Sequence, residues 1–137
     1  MRTLKGGCLC GGVRYTVDAE VIYSGKCYCD SCRRLSGSGH SATFAVPNEA
    51  LSIRGQLAEY MRLGGSSEPV IRRFCPTCGA RVTSSANIMP GITFVAATSL
   101  DDPEQYAPQM SVFAAEAVSW DRPSADVPAF CHMPPRA

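Results

Sequence analysis

Seven of the chain's eight cysteines fall into three tight groups: Cys8 and Cys10, then Cys27, Cys29 and Cys32, then Cys75 and Cys78. One- and two-residue gaps let neighbouring sulfurs face a single metal ion. The odd count matters. Four thiolates close a tetrahedral site, and three remain for a second site with one position open. Closed sites hold folds together, whereas sites with three protein ligands leave a place for water or substrate. The sequence therefore predicts two zinc ions per chain, one structural and one able to do chemistry, the second held less firmly. Cys75-Pro76-Thr77-Cys78-Gly79 reads as a zinc knuckle, with Gly79 permitting the tight turn after the second thiol. A knuckle supplies two ligands. Spacing alone leaves its partners open: Cys8 and Cys10, or two of Cys27, Cys29 and Cys32.

A zinc ion bound by three thiolates carries a net charge of about −1 and is a poor generator of hydroxide. It suits another task, binding a substrate thiol and taking its proton, which creates a nucleophile at neutral pH. A small electrophile held within attack distance would be captured by that sulfur, and the reverse reaction would break the bond so formed. If the knuckle takes Cys8 and Cys10, then Cys27, Cys29 and Cys32 remain as a three-thiolate set on one short stretch. Lys26, Arg33 and Arg34 flank it, and Arg33 is the first candidate for a substrate carboxylate. His40 follows the Ser36-Gly37-Ser38-Gly39 segment and is a candidate fourth ligand or general base; His132 is the other histidine. Cys131 lies outside every group and reads as a free thiol. Trp120, Phe44, Phe94 and Tyr15 read as packing residues.

The elements that must position these groups are strands. Gly12–Val17 alternates and is β-branched, and Val21–Gly25 is expected to pair with it across Asp18-Ala19-Glu20. Ser41–Val46 forms a strand that Pro47 stops. Leu51–Arg54 and Ala58–Met61 flank a turn at Gly55, and Gly64-Gly65-Ser66-Ser67 is a loop. Val70–Phe74 leads into the knuckle and Ala80–Thr83 leads out. Ile92–Ala97 and Ser111–Ala114 complete the set. Helix is confined to a turn over Asp30–Leu35, capped by Asp30, and another over Asp102–Tyr106. Residues 124–137 read as an irregular tail. The fold class is mainly β, a single domain over 1–137 of antiparallel sheets with zinc knuckles and very little helix.

Bulk composition limits the alternatives. A hydrophobic content of 45% and a charged content of 18% are globular values. Thirteen basic and twelve acidic residues nearly cancel, with no Lys/Arg-rich run, so no nucleic-acid surface is expected. No apolar run approaches the roughly 18 residues of a spanning helix. No secretory signal opens the chain. These points predict a cytoplasmic protein without a membrane partner, whose thiols stay reduced and meet metal rather than each other.

Three strings occur in order: Gly7-Cys8-Leu9-Cys10-Gly11, Cys27-Tyr28-Cys29-Asp30-Ser31-Cys32-Arg33-Arg34-Leu35-Ser36-Gly37 and Phe74-Cys75-Pro76-Thr77-Cys78-Gly79. With them most of the chain resembles the glutathione-dependent formaldehyde-activating enzyme family. The resemblance implies a single, mostly antiparallel β domain. It implies an S-(hydroxymethyl)glutathione synthase-like carbon–sulfur lyase, with glutathione or a similar small thiol and a small aldehyde as its partners. It assigns Cys8, Cys10, Cys75 and Cys78 to the structural zinc and Cys27, Cys29 and Cys32 to the catalytic one. Toward the C-terminus the chain departs from the family pattern. Ser111 stands where members carry a histidine, Glu116-Ala117 where they carry Ser-Arg before the tryptophan, and Val127-Pro128-Ala129-Phe130 lacks the family arginine. These departures bear on which thiol is used. The competing class is a non-catalytic two-zinc module that binds a protein partner, in which a residue such as His40 closes the second site.

Overall fold

The computed structural model describes residues 3–64 and 67–134. Among them, ten strands form two sheets. They run β1 (Thr3–Gly7), β2 (Arg14–Asp18), β3 (Tyr23–Cys27), β4 (Ser41–Pro47), β5 (Leu51–Arg54), β6 (Ala58–Leu63), β7 (Pro69–Phe74), β8 (Arg81–Ala86), β9 (Ile92–Ala96) and β10 (Met110–Val112), with one α-helix, α1 (Asp30–Ser36), after β3. The smaller sheet has the order β1-β2-β5 and the larger β10-β3-β4-β9-β8-β7-β6. Paired strands are antiparallel, except that β10 runs parallel to β3. No helix among the described residues is long and apolar enough to cross a membrane.

Period-two patterning builds the core. On β2, Tyr15 and Val17 are buried while Arg14 and Thr16 are less so. Leu4 of β1, Phe44 and Val46 of β4, Val82 of β8 and Val95 of β9 join them in one cluster that also contains Cys8 and Cys75. Each sheet thus buries one face against the other, and the first and third cysteine groups are anchored in that core. Tyr15 and Phe44 pack as their alternation predicts. Phe94 points away from this cluster and meets Tyr23 edge-on, ring centroids 6.2 Å apart.

Several local expectations change. Val21–Gly25 does not fold back on β2. Instead β2 pairs with β1 and β5, while β3 crosses to the larger sheet and pairs with β4, Tyr23 opposite Ala45. The cause lies beyond the local turn: Ser24 is buried and its Oγ donates to the Ala107 carbonyl at 2.6 Å. Likewise β5 and β6, adjacent in sequence, belong to different sheets. Gly65 and Ser66 of the expected Gly64–Ser67 loop lie outside the described residues. Beside them the Gly64 N–H donates to the Glu68 carbonyl at 2.9 Å. Asp30 does not cap α1. The cap is Cys29, whose Sγ accepts from the Cys32 N–H at 3.4 Å.

The tail carries no named strand, yet it is docked. The Ser111 N–H donates to the Pro128 carbonyl and the Phe130 N–H returns to Ser111, both at 2.9 Å. Phe113, Ala114 and Ala115 donate to the carbonyls of His132, Phe130 and Cys131. This covers the outer edge of β10, which would otherwise present open ladder groups. Trp120 is not a packing residue: it is 70% exposed. A turn in which the Asp121 N–H donates to the Val118 carbonyl leaves the indole outside while Asp121 points inward.

Candidate metal centres

The first and third cysteine groups meet. The sulfurs of Cys8, Cys10, Cys75 and Cys78 all lie within 4.8 Å of one another. Two separations are 3.6 Å (Cys8 to Cys10) and 3.7 Å (Cys10 to Cys75). A tetrahedral ion with metal–sulfur bonds of about 2.3 Å would set its sulfurs about 3.8 Å apart, so this donor set fits one. The two halves are built alike. The Cys8 N–H donates to the Val13 carbonyl at 3.0 Å, and the Cys75 N–H donates to the Ala80 carbonyl at 2.9 Å. Each loop turns through a glycine with positive φ, Gly11 at 82° and Gly79 at 78°, where any other residue would be strained. Backbone N–H groups also point at sulfur: Val13 to Cys8 at 3.2 Å, and Thr77 and Cys78 to Cys75 at 3.4 and 3.5 Å. Such donors favour thiolate. The Ala80 N–H, then that of Cys10, lower the Cys78 thiol to about 6.

The middle group stands apart, and the spacing ambiguity resolves: none of its members joins the knuckle. The sulfurs of Cys27, Cys29 and Cys32 lie within 4.8 Å of one another. Cys27 ends β3, Cys29 caps α1 and Cys32 sits in its first turn. Between the first two, Tyr28 is buried and its N–H donates to the Val112 carbonyl at 3.1 Å, which pins the loop to β10. Glu116 accepts from the Asp30 N–H at 3.1 Å, placing a carboxylate at the start of α1. Glu116 therefore braces the helix whose cap and first turn carry Cys29 and Cys32. Hydrogen bonds from Cys27 and Cys29 hold the Cys32 thiol far below the usual range, helped by Ser41 and the charge of Arg81. Cys27 is pushed up, chiefly by its hydrogen bonds with Cys29 and Cys32.

The other sequence candidates are placed as follows. Arg33 Nη2 donates to Asp30 Oδ1 at 2.6 Å, and Arg34 Nε reaches both oxygens of the same carboxylate. His40 is not grouped with the three thiols. Its Nδ1 lies 2.6 Å from Asp121 Oδ2, and its ring tilts over Tyr28 with centroids 5.0 Å apart. His132 and Cys131 are exposed in the tail. Ser111 is buried on β10, 1% exposed.

Sequence reasoning missed Arg81. It is the first residue of β8, just past the knuckle, and sits close enough to Cys32, Cys27 and Cys29 to feel their charge. It also lines a groove of about 690 Å³ that runs from Cys8 and Gly79, past Leu35 and Ser36 of α1, to Thr98 and Asp101. The available signal was its position two residues after the Cys78-Gly79 turn, at the first position of the emerging strand.

The family model for glutathione-dependent formaldehyde-activating enzymes matches residues 3–116. No curated protein matches the chain significantly. The crystal structure of a Rhodobacter sphaeroides protein, a structural-genomics target, is similar with a TM-score of 0.60 at 22% identity, covering 91% of this chain and 98% of that one. At that identity the likeness shows the fold. The family match ends before Asp121 and before the segment that docks on β10.

Proposed function

The chain belongs to the family of glutathione-dependent formaldehyde-activating enzymes, and from that footing we propose that it reversibly joins a small thiol to formaldehyde or a related small electrophile. Glutathione is the first thiol to test, and the reaction site is a zinc ion held by Cys27, Cys29 and Cys32. A second zinc, on Cys8, Cys10, Cys75 and Cys78, is structural. The observation that carries the reading is the contrast between four converging thiols, enough to close a tetrahedral site, and a separate group of three that leaves one position open.

In the forward reaction the sulfur bonds to the carbonyl carbon and the carbonyl π pair moves to oxygen. That oxygen gains a proton as the sulfur loses one. The reverse breaks the same carbon–sulfur bond. Zinc, when bound, supplies an open position that acidifies a substrate thiol at neutral pH. The chain's own residues do the rest. Hydrogen bonds from Cys27 and Cys29 favour the thiolate form of Cys32. The Arg81 guanidinium offsets the negative charge that gathers there. The Cys29 cap and the Glu116 contact hold α1, and with it the spacing of Cys29 and Cys32. Arg33, held by Asp30, is a further group for a substrate carboxylate. All eight cysteines are free thiols, which fits a reducing, cytoplasmic setting.

The competing two-zinc binding module needs a protein ligand to close the second site. His40 was the candidate, and its engagement with Asp121 away from the three thiols weighs against it. The test is NMR exchange among glutathione, formaldehyde and their adduct, with zinc-loaded protein and a Cys29→Ser control. The adduct forms spontaneously, so acceleration over background that the control lacks supports the reading. Intact acceleration in the control would sink it.

A further inference from the structure

Arg14, Arg33, Arg34 and Arg73 each hold a carboxylate. Arg81 does not. Among the described residues its side chain makes no hydrogen bond or ion pair, although it is partly buried and offers five donors. Burial works against its charge, and the guanidinium of Arg72, close enough to repel it, works the same way. Arg72 also holds no carboxylate among the described residues. Two neighbouring guanidinium groups without an acid between them favour an anion, and the fork of each matches a carboxylate. Arg81 lines the groove together with Ser41, the residue paired with Cys27 across β3 and β4, so the groove reaches the edge of the three-thiol group. Ser36, Ser38 and Thr98 add hydroxyl groups along that groove, and Leu35, Ala42 and Leu100 add apolar wall. A molecule lying there with a carboxylate on Arg81 would bring its other end to the cysteine centre.

We propose that Arg81, backed by Arg72, anchors the carboxylate of the thiol substrate, and so selects acidic thiols over neutral ones. The inference rests on the thiol-binding reading and specifies its substrate class. Arg81 is then a substrate contact, not merely an internal counter-charge for the thiolates.

The test uses cobalt(II)-loaded protein, whose visible absorption reports sulfur entering the metal's coordination. Mercaptoacetate and mercaptoethanol, alike in size and differing in charge, are titrated in turn. Native protein should bind mercaptoacetate about tenfold more tightly or better. Arg81→Gln should bring the two affinities together, and Arg81→Lys should keep part of the preference. Metal content and thermal unfolding check that each variant is folded. Should Arg81→Gln fail to fold, Arg72→Gln gives the same comparison, with a smaller loss of preference expected. Equal affinities in native protein, or a preference untouched in Arg81→Gln, would overturn the proposal while leaving thiol binding standing. If neither thiol alters the spectrum, the thiol-binding reading falls and this inference falls with it.

Discussion

His40 Nδ1 lies 2.6 Å from Asp121 Oδ2, joining the residue just before β4 to a turn 81 positions later. Both side chains are about four-fifths buried, at 22% and 20% exposed. The contact fastens the segment beyond the family match onto the loop between α1 and β4, whose His40 ring packs on Tyr28. A double-mutant cycle with His40→Ala and Asp121→Ala, read by urea unfolding of metal-loaded protein, should give a coupling of about 1–2 kcal/mol. Strictly additive effects would mean that the pair holds nothing.

The two thiol clusters should respond differently to loss of a ligand. Cys75→Ser is expected to release one ion and cost about 4 kcal/mol or more, because Cys75 is buried in the core and its N–H closes the knuckle. Cys29→Ser should lose activity and the second ion while one ion and the cooperative unfolding transition remain. Metal analysis and circular dichroism decide the matter. If both variants unfold alike, the division into structural and reactive centres is wrong.

Alkaline pH should weaken the fold through Tyr15. Burial pushes its phenol up to about 12, against about 10 in the unfolded chain. The folded state therefore keeps a proton that the unfolded state gives up. The stabilisation is intact below pH of about 10 and is lost as pH rises toward about 12, at up to about 1.4 kcal/mol per unit. Ser99 Oγ donates to the Ala96 carbonyl at 2.7 Å, so Tyr15 is the donor in its 2.7 Å contact with Ser99. Tyr15→Phe should cost about 1 kcal/mol at neutral pH and flatten the alkaline slope. Unfolding curves across that range, with an unchanged slope in the variant, would exclude Tyr15 as the source.

The knuckle glycine offers a local probe. Gly79→Ala meets open space but keeps a φ of 78°, so only backbone strain opposes it. A loss of about 1–2 kcal/mol is expected, with Thr77→Ala, at an exposed position, near zero. Equal thermal shifts for the two would refute the strain argument.

The thiol groups and most strands were legible because their signals are local: short ligand gaps, alternation on β2, an apolar run at β9. What escaped depended on distant partners. β1 contains Lys5-Gly6-Gly7, poor strand formers, and exists because β2 offers it five register positions. β3 pairs across to β4 because Ser24 finds its acceptor at Ala107, far along the chain. The choice of Cys8 and Cys10 as partners of the knuckle needed either a family resemblance or the packed core, since spacing permits both solutions. Arg81 was invisible for a different reason. An arginine after a turn is ordinary in sequence, and only its nearness to the three thiols in three dimensions sets it apart.

Separation along the chain has a consequence for how the protein matures. Cys27, Cys29 and Cys32 lie on one short stretch and can gather while most of the chain is still unmade or unfolded. Cys10 must find Cys75 across 65 positions, so an ion bound there acts as a cross-link that closes a long loop. During synthesis Cys27, Cys29 and Cys32 emerge complete well before Cys75 and Cys78 can join Cys8 and Cys10. On the proposed division of roles, the newborn chain passes through an interval in which the substrate-binding thiols are formed and the long loop is not yet closed, and metal and reductant supplied in that interval are expected to raise the yield of folded protein.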